Sequence, residues 1–173
     1  MCLIVFAYNC HPGYRLILGT NRDEFRDRPT EPEGFWISAP YFTNRGGSSG
    51  PVSSGIHGLS NHLLDTHWAK VITAKSRMEI IVQKSIVDAE HIFAALSDPA
   101  PFADNLLPDS GVGLERERML SPLFIENKEY GTRSSTVILV DRNGYMTFIE
   151  QVFNHSSGTP LTQNFNFQQK SLP

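Results

Sequence analysis

Residues 134–141 (SSTVILVD) and 145–152 (YMTFIEQV), joined by Arg142-Asn143-Gly144, constrain this chain more than any other feature. β-Branched and aromatic residues dominate both stretches, and Asn-Gly supplies the left-handed backbone that a tight hairpin turn requires. Two antiparallel strands are therefore predicted. A second pair is predicted near the start. Residues 2–8 (CLIVFAY) form a continuous apolar run that reads as a buried strand. Pro12 and Gly13 mark a turn, and residues 14–19 (YRLILG) read as the returning strand. Residues 56–60 (IHGLS) are a short strand candidate. Residues 163–168 alternate, with Phe165 and Phe167 on one face.

Between the strands the pattern is helical from Trp68 to Ser97. Met78, Ile81, Val82 and Ser85 follow at helical spacing. Asp88 reads as the N-cap of a helix carrying Ile92, Phe93, Ala95 and Leu96, which Pro99 ends. A further short helix is predicted from Gly113 to Leu120. Strands, then helices, then strands, with no internal repeat, imply an α+β fold with antiparallel sheets rather than a doubly wound parallel sheet. A length of 173 residues suits one domain over 1–173. A Pro/Gly/Ser-rich junction occupies about 30–55, and Gly46 to Gly50 reads as its most flexible part.

Charge excludes some function classes. Fifteen basic and 18 acidic residues leave a net charge of −3, with no long basic block. Binding to nucleic acid or a membrane surface through charge is disfavoured. The longest apolar run, Met1 to Tyr8, is far short of the ~20 residues that span a bilayer. It also lacks the flanks of a secretory signal. Two cysteines, Cys2 and Cys10, cannot build a disulfide framework, and a reducing, cytoplasmic setting is expected.

Cys2 is the first candidate for chemistry. A methionine before a small residue is commonly removed, which would leave Cys2 with a thiol and a free α-amine. The amine's ordinary pKa of ~7.7–8.0 lets it accept the thiol proton, the logic of N-terminal nucleophiles. The competing reading is core, because cysteine beside Leu-Ile-Val-Phe is usually buried packing. Asn21-Arg22-Asp23-Glu24 directly follows an apolar strand. Arg22 could steer a carboxylate or stabilise a thiolate, and Asp23 or Glu24 could hold the α-ammonium or orient the Arg. The alternative is a solvated turn with an internal ion pair. Asn61 could donate to an oxyanion or simply cap a turn, and Arg133 could be a site cation or a surface charge. His57, His62 and His67 recur every five residues, which places them on no common helical or strand face, so no metal site is expected. No cofactor is expected either.

Several of these stretches together resemble one family. They are MCLIVFAYN, YRLILGTNRDEFRDRPT, YFTNRGG, GIHGLSNHLLDTHWAKV, and YGTRSSTVILVD with YMTFIEQVF. They are similar to the NRDE-domain family, also called the transport and Golgi organisation family. The resemblance implies an αββα sandwich of antiparallel sheets like that of N-terminal-nucleophile hydrolases. It implies site positions at Cys2, the Arg22/Asp23 block, Asn61 and Arg133, with Asn21 or Glu24 as substrate-binding neighbours. One departure is expected to matter: Phe35-Trp36 runs almost directly into Tyr41-Phe42-Thr43, where family members carry a long central block, so the sandwich is expected to be incomplete.

Three functions are therefore expected to compete. One is a role in Golgi organisation and secretion, or in haem or lipid handling, through a lipid-like or haem-like ligand, with Golgi or mitochondrial association in a eukaryote. A second is hydrolysis of a small-molecule amide by Cys2. A third is an inactive, truncated variant.

Overall fold

The computed structural model describes residues 2–26, 41–43, 49–153 and 159–168, with residues 41–43 and 49 described by backbone alone. Most of the 30–55 junction, including residues 46–48 of the Gly/Ser segment, lies outside the described residues.

The chain is α+β, with antiparallel strand pairing throughout. Strands β1 (Leu3–Tyr8), β2 (Tyr14–Phe25), β5 (Gly55–Leu59), β6 (Tyr130–Asp141), β7 (Tyr145–Val152) and β8 (Leu161–Gln168) form one six-stranded sheet. Its order is β5-β1-β2-β6-β7-β8. Strands β3 (Tyr41–Thr43) and β4 (Ser49–Pro51) pair separately. Both predicted hairpins form: β1 pairs with β2, and β6 with β7 across a turn where Gly144 adopts φ +82°. Asp141 steadies that turn by accepting from the N–H groups of Asn143 and Tyr145, each at 2.8 Å.

Helix α1 (Ala69–Val82) buries Lys70, Val71, Ala74, Met78 and Ile81, a stripe at helical spacing. Helix α2 (Ala89–Leu96) buries Ala89, Ile92, Phe93 and Leu96, and Asp88 caps it by accepting from the Glu90 N–H at 3.0 Å. Helix α3 spans Leu114–Leu120, preceded by a single 3₁₀ turn at Asp104–Leu106. The stripes of α1 and α2 pack on one face of the sheet, against Leu3, Val5, Ala7, Ile17, Val137 and Leu139. Gly19 permits this contact, since a Cβ there would lie 2.6 Å from Ile92 Cγ2.

The opposite face carries its own apolar cluster of Leu16, Ile138 and Val140, flanked by Phe6, Tyr8, Leu18, Met146 and Phe148. Of the expected αββα order, the described residues supply one helical layer, one six-stranded layer and the two-stranded β3–β4. No described helix is long and apolar enough to cross a membrane.

One difference from the sequence expectation shapes the site. Strand β2 does not end near Gly19 but continues through Phe25, so the Asn21–Glu24 block is strand rather than turn. The reason is β6, which begins at Tyr130 and offers this polar segment its backbone partners: Asn21 opposes Ser135 and Asp23 opposes Thr132. A polar stretch holds a strand when a neighbour satisfies its N–H and C=O groups. The register shifts between Arg22 (opposite Ser134) and Asp23, which leaves Arg133 as the extra residue of a bulge.

Candidate functional site

Strand alternation divides the Asn21–Glu24 block between the two sheet faces. Asn21 and Asp23 point to the helical side and are 0% and 4% exposed, whereas Arg22 and Glu24 are only half-buried. Leu3 pairs with Asn21, and alternation carries Arg22 to the other face, while Cys2 lies just before β1. Cys2 is exposed, and its thiol lies 3.7 Å from the Asp23 carbonyl oxygen. The main chain at Cys2 is held from β5, because the buried Ser60 hydroxyl donates to the Cys2 carbonyl at 3.0 Å.

Asp23 sits beneath this point. Its Oδ1 accepts from the Thr132 hydroxyl at 2.7 Å, and its carbonyl accepts from the Tyr130 hydroxyl at 3.2 Å. Burial pushes the Asp23 carboxyl above its ordinary range, against the opposing pull of Lys70 and of the Thr132 hydrogen bond.

Lys70 is the residue that sequence reasoning missed. It is 4% exposed, near the start of α1, and its Nζ donates to the Leu120 carbonyl at 3.0 Å. Burial holds its ammonium below the ordinary lysine range, while the charges of Asp23 and Cys2 act in the opposite sense. A buried lysine thus shares one electrostatic neighbourhood with the carboxyl and the thiol. The available signal was position: Lys70, Ala74 and Met78 share the apolar face of a helix, where lysine is out of place. Lys70 also lines a pocket with Trp68, Phe102, Leu106, Leu107 and Leu120.

The other predicted residues occupy different situations. Asn21 is committed to the fold: its amide donates to the Leu96 and Leu123 carbonyls at 2.9 and 2.7 Å, and its oxygen accepts from the Ser135 hydroxyl at 2.6 Å. Glu24 accepts from the Phe25 N–H at 3.1 Å. Arg133, at the bulge, donates to the Arg26 carbonyl at 2.6 Å. Burial and the neighbouring Arg133 charge both lower the Arg26 guanidinium pKa, so two cations stand close together there. Asn61 is exposed directly after β5, next to Ser60, and its amide makes no hydrogen bond among the described residues. His57 lies apart from Cys2 in a cluster of its own. Its ring nitrogens meet Asp65 Oδ2 at 2.7 Å and the Ser53 carbonyl at 2.9 Å, while Lys75 Nζ reaches Asp65 Oδ1 at 2.6 Å. No group of three or more His, Cys, Asp or Glu side chains suited to a metal occurs among the described residues.

The family described as "Transport and Golgi organisation 2" matches this chain over residues 1–41 and 37–155. The "Transport and Golgi organization 2 homolog" of Mus musculus is 32% identical over 120 residues, covering 64% of this chain and 44% of its own length. The homolog from Homo sapiens is 31% identical over the same shares. The homolog from Bos taurus is 32% identical over 140 residues, 74% of this chain and 51% of its own. The chain spans about half the length of the curated relatives it matches. The two matched stretches overlap at residues 37–41. With the family matched from residue 1 to 155, the chain belongs to the transport and Golgi organisation 2 family.

Proposed function

We propose that this chain acts through Cys2 as an N-terminal nucleophile on a carbonyl carbon of a small-molecule amide. The observation that carries the reading is an exposed thiol 3.7 Å from the Asp23 carbonyl, with the charge of the buried Lys70 felt by both residues. In the proposed reaction Met1 has been removed. The thiol gives its proton to the Cys2 α-amine, and Sγ attacks the carbonyl carbon. The C–N bond breaks as the proton passes to the leaving amine, and water then hydrolyses the thioester to a carboxylic acid and the free thiol. Asp23 serves as the partner of the α-ammonium. Arg22 and Arg133 attract an acidic substrate, Glu24 flanks it, and the exposed Asn61 amide donates to the oxyanion, while the buried and fully bonded Asn21 serves the fold.

A second reading, in which a lipid-like or haem-like ligand binds without turnover, rests on the family resemblance, since the cavity beside Lys70 holds only about 10 Å³ in this structure. The names of the relatives connect them with transport and Golgi organisation, and that role is extended to this chain as part of the proposal.

Alkylation of the two thiols at fixed neutral pH, read by peptide mass spectrometry, tests the nucleophile. Cys2 should have lost Met1 and should react faster than Cys10, which is also exposed. Retention of Met1, or equal rates, removes the hydrolase reading. Haem titration tests the second: a Soret shift lost in Lys70→Met supports it, and an unchanged free-haem spectrum opposes it.

A further inference from the structure

The Asp23 carbonyl oxygen gathers two donors. The Cys2 thiol approaches it to 3.7 Å and the Tyr130 hydroxyl to 3.2 Å. Thiol sulfur and phenol oxygen therefore lie within about 7 Å of each other, around one atom. Strand register explains the meeting. Tyr130 opens β6 opposite Phe25, and its side chain reaches back along β2 to Asp23. The Phe25 ring steadies the tyrosine ring, edge-on at 5.1 Å and 78°. Asp23 is held from the same strand, because the Thr132 hydroxyl donates to its Oδ1 at 2.7 Å. Carbonyl and phenol thus share one support, and a half-buried ring delivers its hydroxyl to the neighbourhood of an exposed thiol.

This placement matters once the thiol ionises. A thiol can donate to a carbonyl oxygen, but a thiolate has no proton to give and faces the negative end of the carbonyl dipole. A hydroxyl proton, by contrast, rotates about its C–O bond to suit its partner. We propose that Tyr130 stabilises the Cys2 thiolate, its O–H turning from the Asp23 carbonyl to Sγ after the thiol proton has passed to the α-amine. The inference deepens the N-terminal-nucleophile reading and rests on it. Tyr130 keeps its proton, because a phenol is ordinarily a weaker acid than a thiol. Its hydrogen bond to the anionic sulfur is charge-assisted and so stronger than the one it leaves. As Sγ bonds to the substrate carbonyl carbon, the negative charge moves to the substrate oxygen and the Tyr130 O–H returns to the Asp23 carbonyl. The charged groups around Sγ are the α-amine, Asp23 on β2 and Lys70 on α1. Tyr130 adds a donor there without adding charge.

Alkylation of the full chain by iodoacetamide, read at Cys2 and Cys10 by peptide mass spectrometry, tests this. Tyr130→Phe keeps the ring against Phe25 and removes only the hydroxyl. At neutral pH it should slow Cys2 about ten-fold, the effect of losing one hydrogen bond to a charged group, and leave Cys10 unchanged. At about pH 10, where an ordinary thiol is ionised without help, the variant should react as fast as the wild type. Tyr145→Phe, on the exposed start of β7, should match the wild type throughout. A wild-type Cys2 no faster than Cys10 removes the nucleophile reading and this inference with it. A fast Cys2 that Tyr130→Phe leaves unchanged overturns this inference alone. A deficit that persists at about pH 10, or one shared by Tyr145→Phe, shows a structural effect and also overturns it.

Discussion

The Thr132 hydroxyl donates to Asp23 Oδ1 at 2.7 Å, linking two residues 109 positions apart, and the same oxygen accepts the Ile125 N–H at 2.9 Å. One hydroxyl therefore ties the candidate site on β2 to the segment that precedes β6. Thr132→Val keeps the shape and removes both bonds, leaving a buried N–H unsatisfied. The expected loss is about 1–3 kcal/mol of unfolding free energy in urea titration. Thr132→Ser should retain most of it. Equal losses for the two variants would contradict this account.

Asp23 should make stability fall with rising pH. Burial raises its folded pKa above the ordinary 3.8, in spite of Lys70 and Thr132. A group raised on folding contributes stability that is complete below its unfolded pKa and is lost as pH rises through its folded value. Asp23→Asn cannot ionise, so it should gain on the wild type as pH climbs above 3.8. Urea midpoints of both proteins from pH 3.5 to 8 measure this, and a constant gap would refute it.

Asp65 should behave in the opposite sense. Burial alone would raise its pKa, but hydrogen bonds from Lys75, His57 and the Gly58 N–H outweigh it and leave the carboxyl below 3.8. Its contribution is present above the unfolded pKa and lost as pH falls through the folded one. Asp65 has φ +58°, a backbone that asparagine tolerates, so Asp65→Asn isolates the charge. The variant should melt below the wild type at pH 7, and the two melting points should converge in acid.

Lys70→Met tests a positioning role. It keeps the apolar stem but removes the donor to the Leu120 carbonyl and the cation that offsets Asp23, so the fold should persist with some loss of stability. Alkylation of Cys2 should slow relative to Cys10, because the cation near the thiol is gone. A variant with unchanged Cys2 and Cys10 rates would show that Lys70 serves packing alone.

Gly19→Ala should destabilise by about 1–3 kcal/mol through overpacking. Its Cβ would meet Ile92 Cγ2 at 2.6 Å and Leu96 Cδ1 at 2.9 Å. Combined with Ile92→Ala, it should cost less than the sum of the two single changes. Additive costs in that double-mutant cycle would mean that β2 and α2 separate freely.

Local pattern alone determined much of this protein. Period-2 runs and Asn143-Gly144 specify two hairpins, because turn geometry and face alternation act within a few residues. The Asp88 cap and the Ile92-Phe93-Leu96 stripe specify α2 in the same way. NRDE-type motifs also identify the family without coordinates. Tertiary structure decided what depends on distant partners. Asn21–Glu24 is strand only because β6 opposes it, and that pairing turns Asn21 and Asp23 inward and Arg22 outward. Lys70 joins Cys2 and Asp23 only because α1 packs across the sheet. A side chain's face and its electrostatic neighbours depend on long-range pairing and burial, which no local window of sequence contains.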